Sequence, residues 1–439
     1  MTQWKKVKIG DFLTEREGRF KPDDKTIANY QRLDKIDFSG TIHLSTKPTK
    51  TDMILVYPGD LVISGINVAK GAITVYQGKE PVCATIHYSS YTFNPTLVDL
   101  DYFKYFVKSP AFVEALKQQV KGGIKTEIKP KHLLPIEISI PDLQEQKLIV
   151  AEISENLNKI GQLTTEIESQ KSYIKQLRQN ILQDAIEGKL TADWRKDHPV
   201  IKGDPNYDAE ALLEQIQKEK TDKKQKKLPP ITAEEKHFDI PEGWKWVKLE
   251  NVCNSITDGD HLPPPKTAQG IPFIVISDVS SGIIDFKGNR FVTNEYYKKL
   301  PFEKKTIEGD ILYTVTGSYG IPILVNELKF CVQRHIGIIK PNPIIKDFAY
   351  FCLMSPIIKK QADSVAWGVA VKTIPIKELR QFLLPLPPLA EQQEIVTKTK
   401  ILLNKITELE SQIQERENIA KQLMQSILKD AFGEGCKYE

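Results

Sequence analysis

Cysteine is scarce: Cys83, Cys253, Cys331, Cys352 and Cys436 are all that 439 residues hold. Their number is odd and no two form a Cys-x-x-Cys pair, which argues against a disulfide framework or a zinc site and leaves reduced, packed thiols as the expectation. Long apolar runs are missing too. No stretch approaches the roughly 20 residues of a membrane span, and the start Met1-Thr-Gln-Trp-Lys-Lys6 has no signal-peptide core, so a cytoplasmic chain with no membrane contact is expected. Charge of one sign is nearly balanced. A net +4 does not mark a nucleic-acid binder, so any basic face must be local.

Catalytic signatures are absent as well. The sequence has no G-x-x-x-x-G-K-[ST], no G-x-G-x-x-G and no H-E-x-x-H, which leaves phosphate-loop, dinucleotide and zincin chemistry without support. Neither Asn94-Pro95 nor Asn342-Pro343 continues into the Asn-Pro-Pro-aromatic element of an adenine methyltransferase. Pro22-Asp23 and Glu127-Ile-Lys129 lie too far apart to be read as a nuclease motif. The histidines His43, His87, His132, His198, His237, His261 and His335 are scattered, and a lone histidine is ordinarily packed or solvated. His261 differs, because it lies in the tight polar loop Thr257-Asp-Gly-Asp-His-Leu-Pro-Pro-Pro265 ahead of the apolar run Ile271-Pro-Phe-Ile-Val-Ile276, where an exposed donor could reach a groove. No catalytic residue, metal ligand or cofactor is assigned.

What the sequence does contain is a duplication. Leu143–Ile186 and Leu389–Phe432 align without a gap at an offset of 246, with nineteen of 44 paired positions identical. Both copies open on Leu-x-Glu-Gln and close on Ile-Leu-x-Asp-Ala. In the first, Ile153, Ile160, Ile167, Ile174 and Ile181 recur every seventh residue, with Leu163 and Leu177 three residues after two of them. In the second, Ile406, Ile413 and Ile427 keep the same phase, with Leu402, Leu409 and Leu423 at the second position. This is the apolar seam of a coiled coil. At about 1.5 Å per residue each helix is roughly 65 Å long, too long for the interior of one ordinary domain. Helices packed on each other, through Ile160, Leu163, Ile167 and Leu177 against Ile406, Leu409, Ile413 and Leu423, explain the equal lengths. Two helices packed separately on globular cores do not.

Residues 1–140 read as a compact mixed domain. Apolar runs at Ile54–Tyr57 and Leu61–Ile63 flank the turn Pro58-Gly-Asp60, and helical spacing covers Tyr102–Val120. The segment Lys121-Gly-Gly-Ile-Lys-Thr-Glu-Ile-Lys-Pro-Lys131 combines two glycines with four lysines, which suits close approach to a phosphate backbone but equally suits a solvated turn. The first long helix occupies 141–188 and stops near Gly188. A connector rich in Lys, Asp and Pro follows at 189–240, with one short helix at Asp208–Lys220 and a lysine run that ordinarily is only solvated. At 241–386 the globular pattern restarts: Trp244-x-x-Val-Lys-Leu249 echoes Trp4-x-x-Val-Lys-Ile9, Gly309-Asp310 echoes Gly59-Asp60, and Gly368-Val-Ala-Val-Lys-Thr373 takes the place of the glycine-lysine loop. The second long helix occupies 387–433. The helices are alike and the domains diverged, so the constant part assembles and the variable part discriminates.

With these residues in place the chain resembles, over essentially its whole length, the specificity subunit of type I restriction-modification systems. The resemblance rests on Pro141-Asp-Leu-Gln-Glu-Gln146 and Pro387-Pro-Leu-Ala-Glu-Gln392 at the helix entries, on Gly188-Lys-Leu-Thr-Ala-Asp-Trp-Arg195, on Ile240-Pro-Glu-Gly-Trp-Lys-Trp-Val247, and on Asp258-Gly-Asp-His261 followed by Gly270-Ile-Pro-Phe273. The first domain lacks the Asp-Gly-x-His loop. The resemblance implies an α+β chain: two mixed α/β target-recognition domains separated by a pair of long antiparallel coiled-coil helices, with internal pseudo-twofold duplication. It further implies no catalytic residue, binding to double-stranded DNA, two modification (methyltransferase) subunits carrying S-adenosylmethionine, and a restriction and translocation subunit that can join them. Each domain is expected to read half of a split site through loops, with Lys125, Thr126, Lys129 and Lys131 in the first and His261, Lys266, Ser318, Tyr319, Lys372 and Thr373 in the second. The competing reading is a coiled-coil adaptor whose globular domains bind proteins.

Overall fold

The computed structural model describes residues 4–37, 40–66, 72–119, 129–220, 230–261, 264–265, 267–287, 290–326 and 329–433. It divides into two compact units, residues 1–169 with 413–439 and residues 170–412. Each unit therefore holds one globular domain, the first part of the helix that leaves it, and the last part of the other long helix. Among the described residues no helix is long and apolar enough to cross a membrane, and no group of three or more His, Cys, Asp or Glu could hold a metal ion.

In the first unit, strand Lys5–Lys8 pairs antiparallel with Glu137–Ile140, placing Val7 opposite Ile138 and closing the domain where its helix begins. One four-stranded sheet runs Leu13–Glu15, Tyr88–Phe93, Leu61–Ser64, Ile73–Val75; a second runs Ile42–Ser45, Arg32–Ile36, Val82–Thr85, Met53–Val56. Leu61–Ser64 is buried at every residue, as a strand covered on both faces must be. The turn before it needs Gly59, whose φ of +88° is open to glycine at no steric cost. The single helix expected over 102–120 is two, Leu100–Phe106 and Pro110–Gln119. Pro110 has no N–H to continue the first, but its fixed φ suits the first turn of the second. Tyr102, Phe103, Phe106 and Phe112 form an aromatic core into which Phe432 inserts, with ring centroids 5.2 Å from Tyr102 and 5.6 Å from Phe106. Ile153 and Leu428 complete it. The start of the first long helix and the end of the second thus share one core.

The second unit repeats the plan. Strand Lys245–Lys248 pairs with Leu383–Leu386, and a four-stranded sheet runs Cys253–Asp258, Ile336–Pro341, Ile311–Thr314, Pro322–Leu324, the same order as in the first domain. A three-stranded sheet, Arg290–Val292, Ile271–Ile274, Cys331–Val332, is built from strands interleaved with these in sequence. Gly309 adopts φ +88°, like Gly59. The connector is not a loose tether where it is described: helix Ala209–Glu219, capped by Asp208, buries Leu212, Leu213 and Ile216 in the same core as Trp244, Leu249 and Phe348. Across the long helices Arg178 donates to Glu410 at 2.9 Å, and Ala185 and Ile186 pack in one core with Leu389, Ile395 and Val396. Position numbers rise on one helix as they fall on the other, so the pair is antiparallel.

Along their middle the long helices, Leu143–Ile186 and Leu389–Gly433, bury one residue per heptad. Ile153, Ile160, Ile167, Ile174 and Ile181 are buried, and so are Thr399, Ile406, Ile413 and Ala420 at the equivalent phase. The second heptad position departs from the expected seam. Leu163 is half-buried, while Leu177, Leu409 and Leu423 are 45%, 41% and 47% exposed. A pair of helices encloses a line rather than a core, and the second position lies at the margin of that line.

Candidate nucleic-acid interface

The helix entries explain the repeated Glu-Gln. Gln146 donates to the Pro141 carbonyl at 2.8 Å, and Gln392 donates to the Pro387 carbonyl at 2.8 Å, each tying the first turn to the strand before it. Glu145 accepts from the Trp4 indole at 3.4 Å. Glu391, 2% exposed, accepts from the Trp244 indole at 2.7 Å, from the Thr191 hydroxyl at 2.6 Å and from Arg195. The motifs Leu-x-Glu-Gln, Gly188–Arg195 and Trp244–Val247 therefore meet at one carboxylate. Gly188, at φ +74°, cannot carry a Cβ without meeting Arg195 and Pro241 at 2.9 Å. This knot fixes the domain on its helix.

The other end of the second domain's four-stranded sheet carries the candidate binding loops. Cys253–Asp258 ends there, Ile336–Pro341 begins there and Ile311–Thr314 ends there. Backbone bonds run from loop to loop: Asp260 N–H to Val332, Arg334 N–H to Asp260 at 3.0 Å, Val315 N–H to His335 at 3.0 Å, Ile374 N–H to Val315 at 2.7 Å, and Gly317 N–H to Lys372 at 2.9 Å. His261, Ser318, Tyr319, Lys372 and Thr373 are thus brought to one sheet end, although they span more than a hundred residues of sequence. Gly259 is required by close approach, since a Cβ would lie 2.0 Å from the Val332 carbonyl oxygen. Lys266, with Lys125 and Thr126 of the first domain, lies outside the described residues.

Local contacts set each side chain. His261 Nε2 lies 2.8 Å from Asp258, which orients the exposed ring. Tyr296 donates to Asp260; burial, and then that bond, push its phenol well above the usual range. Lys304 donates to the Gly259 carbonyl at 3.1 Å, bracing the same loop. Tyr319 donates to Asp363 at 2.7 Å and lies under the Lys359 ammonium, 4.0 Å from its ring centroid. The bond from Lys359, then that from Tyr319, hold Asp363 below the usual carboxylate range. Ser318 and Lys372 are exposed, and the Thr373 hydroxyl lies 3.3 Å from that of Thr316. Sequence reasoning missed Arg334, which is exposed, and His335, held below the usual imidazole range by burial and by Arg334. No motif marks them, and only the sheet register places them beside His261.

The first domain has the same scaffold with different chemistry. Gly65 N–H bonds the His87 carbonyl at 2.9 Å, the counterpart of Val315 and His335. Arg16, just past strand Leu13–Glu15, is turned inward: it bonds Asp60 at 2.6 and 2.9 Å and stacks over Tyr57 at 4.3 Å. Lys129 and Lys131 are exposed at the short helix Pro130–Leu133, the sequence counterpart of Ile376–Arg380.

The family model for the type I restriction modification DNA specificity domain matches residues 1–174 and 241–416. The chain is 25% identical over 332 residues to the type I restriction enzyme EcoBI specificity subunit of Escherichia coli, covering 74% of this chain and 63% of that one. With the EcoAI specificity subunit of Escherichia coli it is 27% identical over 276 residues, which is 59% of this chain and 45% of the relative. The chain thus matches less than two thirds of the length of these relatives. Identity to the MjaVIII specificity subunit of Methanocaldococcus jannaschii is 25% over 442 residues, 97% of this chain and 92% of that one. A solved structure described as the basis of complex assembly and conformational transition of the type I R-M system aligns with TM-score 0.62 at 18% identity, covering 98% of this chain and 97% of its own, a likeness of fold. Two matched blocks on one duplicated scaffold account for most of the sequence, and the chain belongs to the family of type I restriction modification DNA specificity domains.

Proposed function

We propose that this chain is the non-catalytic DNA sequence-recognition and scaffold subunit of a type I restriction-modification complex. Each domain, 1–140 and 241–386, reads one half of a split target on double-stranded DNA. The helices at 141–188 and 387–433, with the connector 189–240, set the separation of the halves and dock two methyltransferase subunits. Those partners carry S-adenosylmethionine and the chemistry; a restriction and translocation subunit can join the same cytoplasmic assembly. The observation that carries the reading is one strand order shared by both domains, joined by loops whose sequences differ. A frame shared by the two domains with differing loops suits base-edge reading, while lysines on those loops hold phosphates. Docking of two copies is supported by exposed apolar pairs at the same phase: Tyr173 and Leu177 on the first helix, Ile419 and Leu423 on the second.

The test is purification of the full chain with a candidate methyltransferase, followed by mapping of methylated adenines in the host DNA. A motif in two halves around an unread spacer is expected. A continuous motif, or none, overturns the split-site reading, and binding of proteins but not DNA by the domains returns the adaptor.

A further inference from the structure

Residues 367–373 of the second domain form a small hairpin with an unusual surface. Trp367 and Thr373 exchange backbone hydrogen bonds, 3.1 and 2.8 Å, and Gly368, at φ +122°, turns the strand; a Cβ there would meet the Val371 carbonyl oxygen at 2.3 Å. Its base is fixed. Ile374 is buried, the Thr373 hydroxyl meets Thr316, and the Lys372 carbonyl accepts from Gly317. Its tip is apolar and exposed: Val369 is 108% exposed and Val371 56%. A glycine-turned hairpin that exposes two β-branched residues to solvent gains little in folding from them.

Resting on the reading of this domain as a half-site reader, we propose that the 367–373 hairpin enters the major groove and that Val369 and Val371 read the C5-methyl group of a thymine. Three observations converge. The hairpin stands at the sheet end that carries His261, Arg334, Ser318 and Tyr319, with the exposed Lys372 at its shoulder, so a cation for phosphate lies beside the apolar tip. A hairpin loop closed by the Trp367–Thr373 bridge can enter the roughly 12 Å major groove but not the roughly 6 Å minor groove, and the thymine methyl is displayed only in the former. Two valines offer contact on the scale of a methyl group, far below the roughly 800 Å² per partner of a stable protein interface. The second domain's half-site therefore contains an A·T pair whose thymine is recognised by an apolar contact.

The test uses the full chain in complex with its methyltransferase partner and duplexes carrying its mapped target. Each thymine of the second half-site is replaced in turn by deoxyuridine, which removes only the methyl group. At one position the wild type should lose about fourfold in affinity, the weight of one buried methyl. The Val369→Ser/Val371→Ser variant should bind the thymine duplex as weakly as the wild type binds the deoxyuridine duplex and be indifferent to the replacement. Its thermal unfolding should be unchanged. Sequence-specific binding with no methyl-sensitive thymine, or with sensitivity that persists in the double variant, overturns the hairpin assignment and leaves half-site reading intact. Absence of sequence-specific binding to any duplex overturns both.

Discussion

Asp310 and Lys340, each with a side chain 4% exposed, form a buried ion pair between adjacent strands, and Asp310 also accepts from the Ile307 N–H at 2.9 Å. The counterpart Asp60 keeps the turn contact, to Tyr57 N–H at 2.9 Å, but its cation is Arg16, and the Ser90 hydroxyl donates to it at 2.8 Å. Burial raises Asp310 above the usual carboxylate range, and Lys340 pulls the other way. Removing the cation alone leaves that acid buried without its counter-charge. Lys340→Met should therefore cost about 3–5 kcal/mol, and Asp310→Leu with Lys340→Met should recover most of it. Urea unfolding of the full chain checks this; equal losses in both variants would show that the ion pair is not the source. At the surface the effects are on binding. Lys125→Ala with Lys129→Ala should flatten the salt dependence of DNA affinity by about 0.9 in log-log slope per lost phosphate contact. An unchanged slope returns that loop to a solvated turn. Residue roles were the least legible level of the sequence. Glu391 stands in a visible motif, yet its partners Trp244 and Thr191 lie 147 and 200 positions away, and only folding brings them to one carboxylate.

Elements were legible in phase but not in width. The seven-residue period marks Ile160, Ile167, Ile406 and Ile413 as interior, and all four are buried. Whether Leu177, Leu409 and Leu423 are also enclosed depends on how many helices meet, which periodicity does not encode; in the chain alone they stay 41–47% exposed. The consequence separates two substitutions three residues apart. Ile406→Asp places an uncompensated charge at a 1% exposed site and should destabilise the chain by several kcal/mol. Leu409→Asp, at a partly exposed site, should change stability by less than about 1 kcal/mol. Thermal or urea unfolding of the two variants decides it, and similar losses would show that the second heptad position is enclosed after all. Boundaries set by proline were legible only in part. Pro110 ends one helix and begins another inside a stretch whose spacing is continuous, because apolar period reports the face of a helix and not the integrity of its hydrogen bonds.

At the scale of the molecule the duplication was plain from the gapless offset, whereas the division of the chain was not. The compact units part within both long helices, at 169/170 and 412/413, since contacts group the end of each helix with the opposite domain and the sequence orders it with its own. On the proposed reading of one half-site by each domain, replacing residues 1–140 with a relative's domain should change one half of the methylated motif, and changes in both halves would contradict independent reading. The helices make the sharper prediction. Inserting one matched heptad after Gln170 and after Arg416 preserves the apolar phase and lengthens each helix by about 10 Å. Along DNA that is roughly three base pairs at 3.4 Å each. Three base pairs also turn the second half-site by about 100°, at about 10.5 base pairs per turn, and one heptad of coiled coil supplies little compensating rotation. The lengthened protein should therefore lose affinity or select a different spacer, while a heptad added to one helix alone should mismatch the buried line and impair folding. Binding or methylation is measured across duplexes whose half-sites are separated by successive single base pairs. Full affinity for the original spacer by the doubly lengthened chain would mean that something other than the helix pair sets the distance.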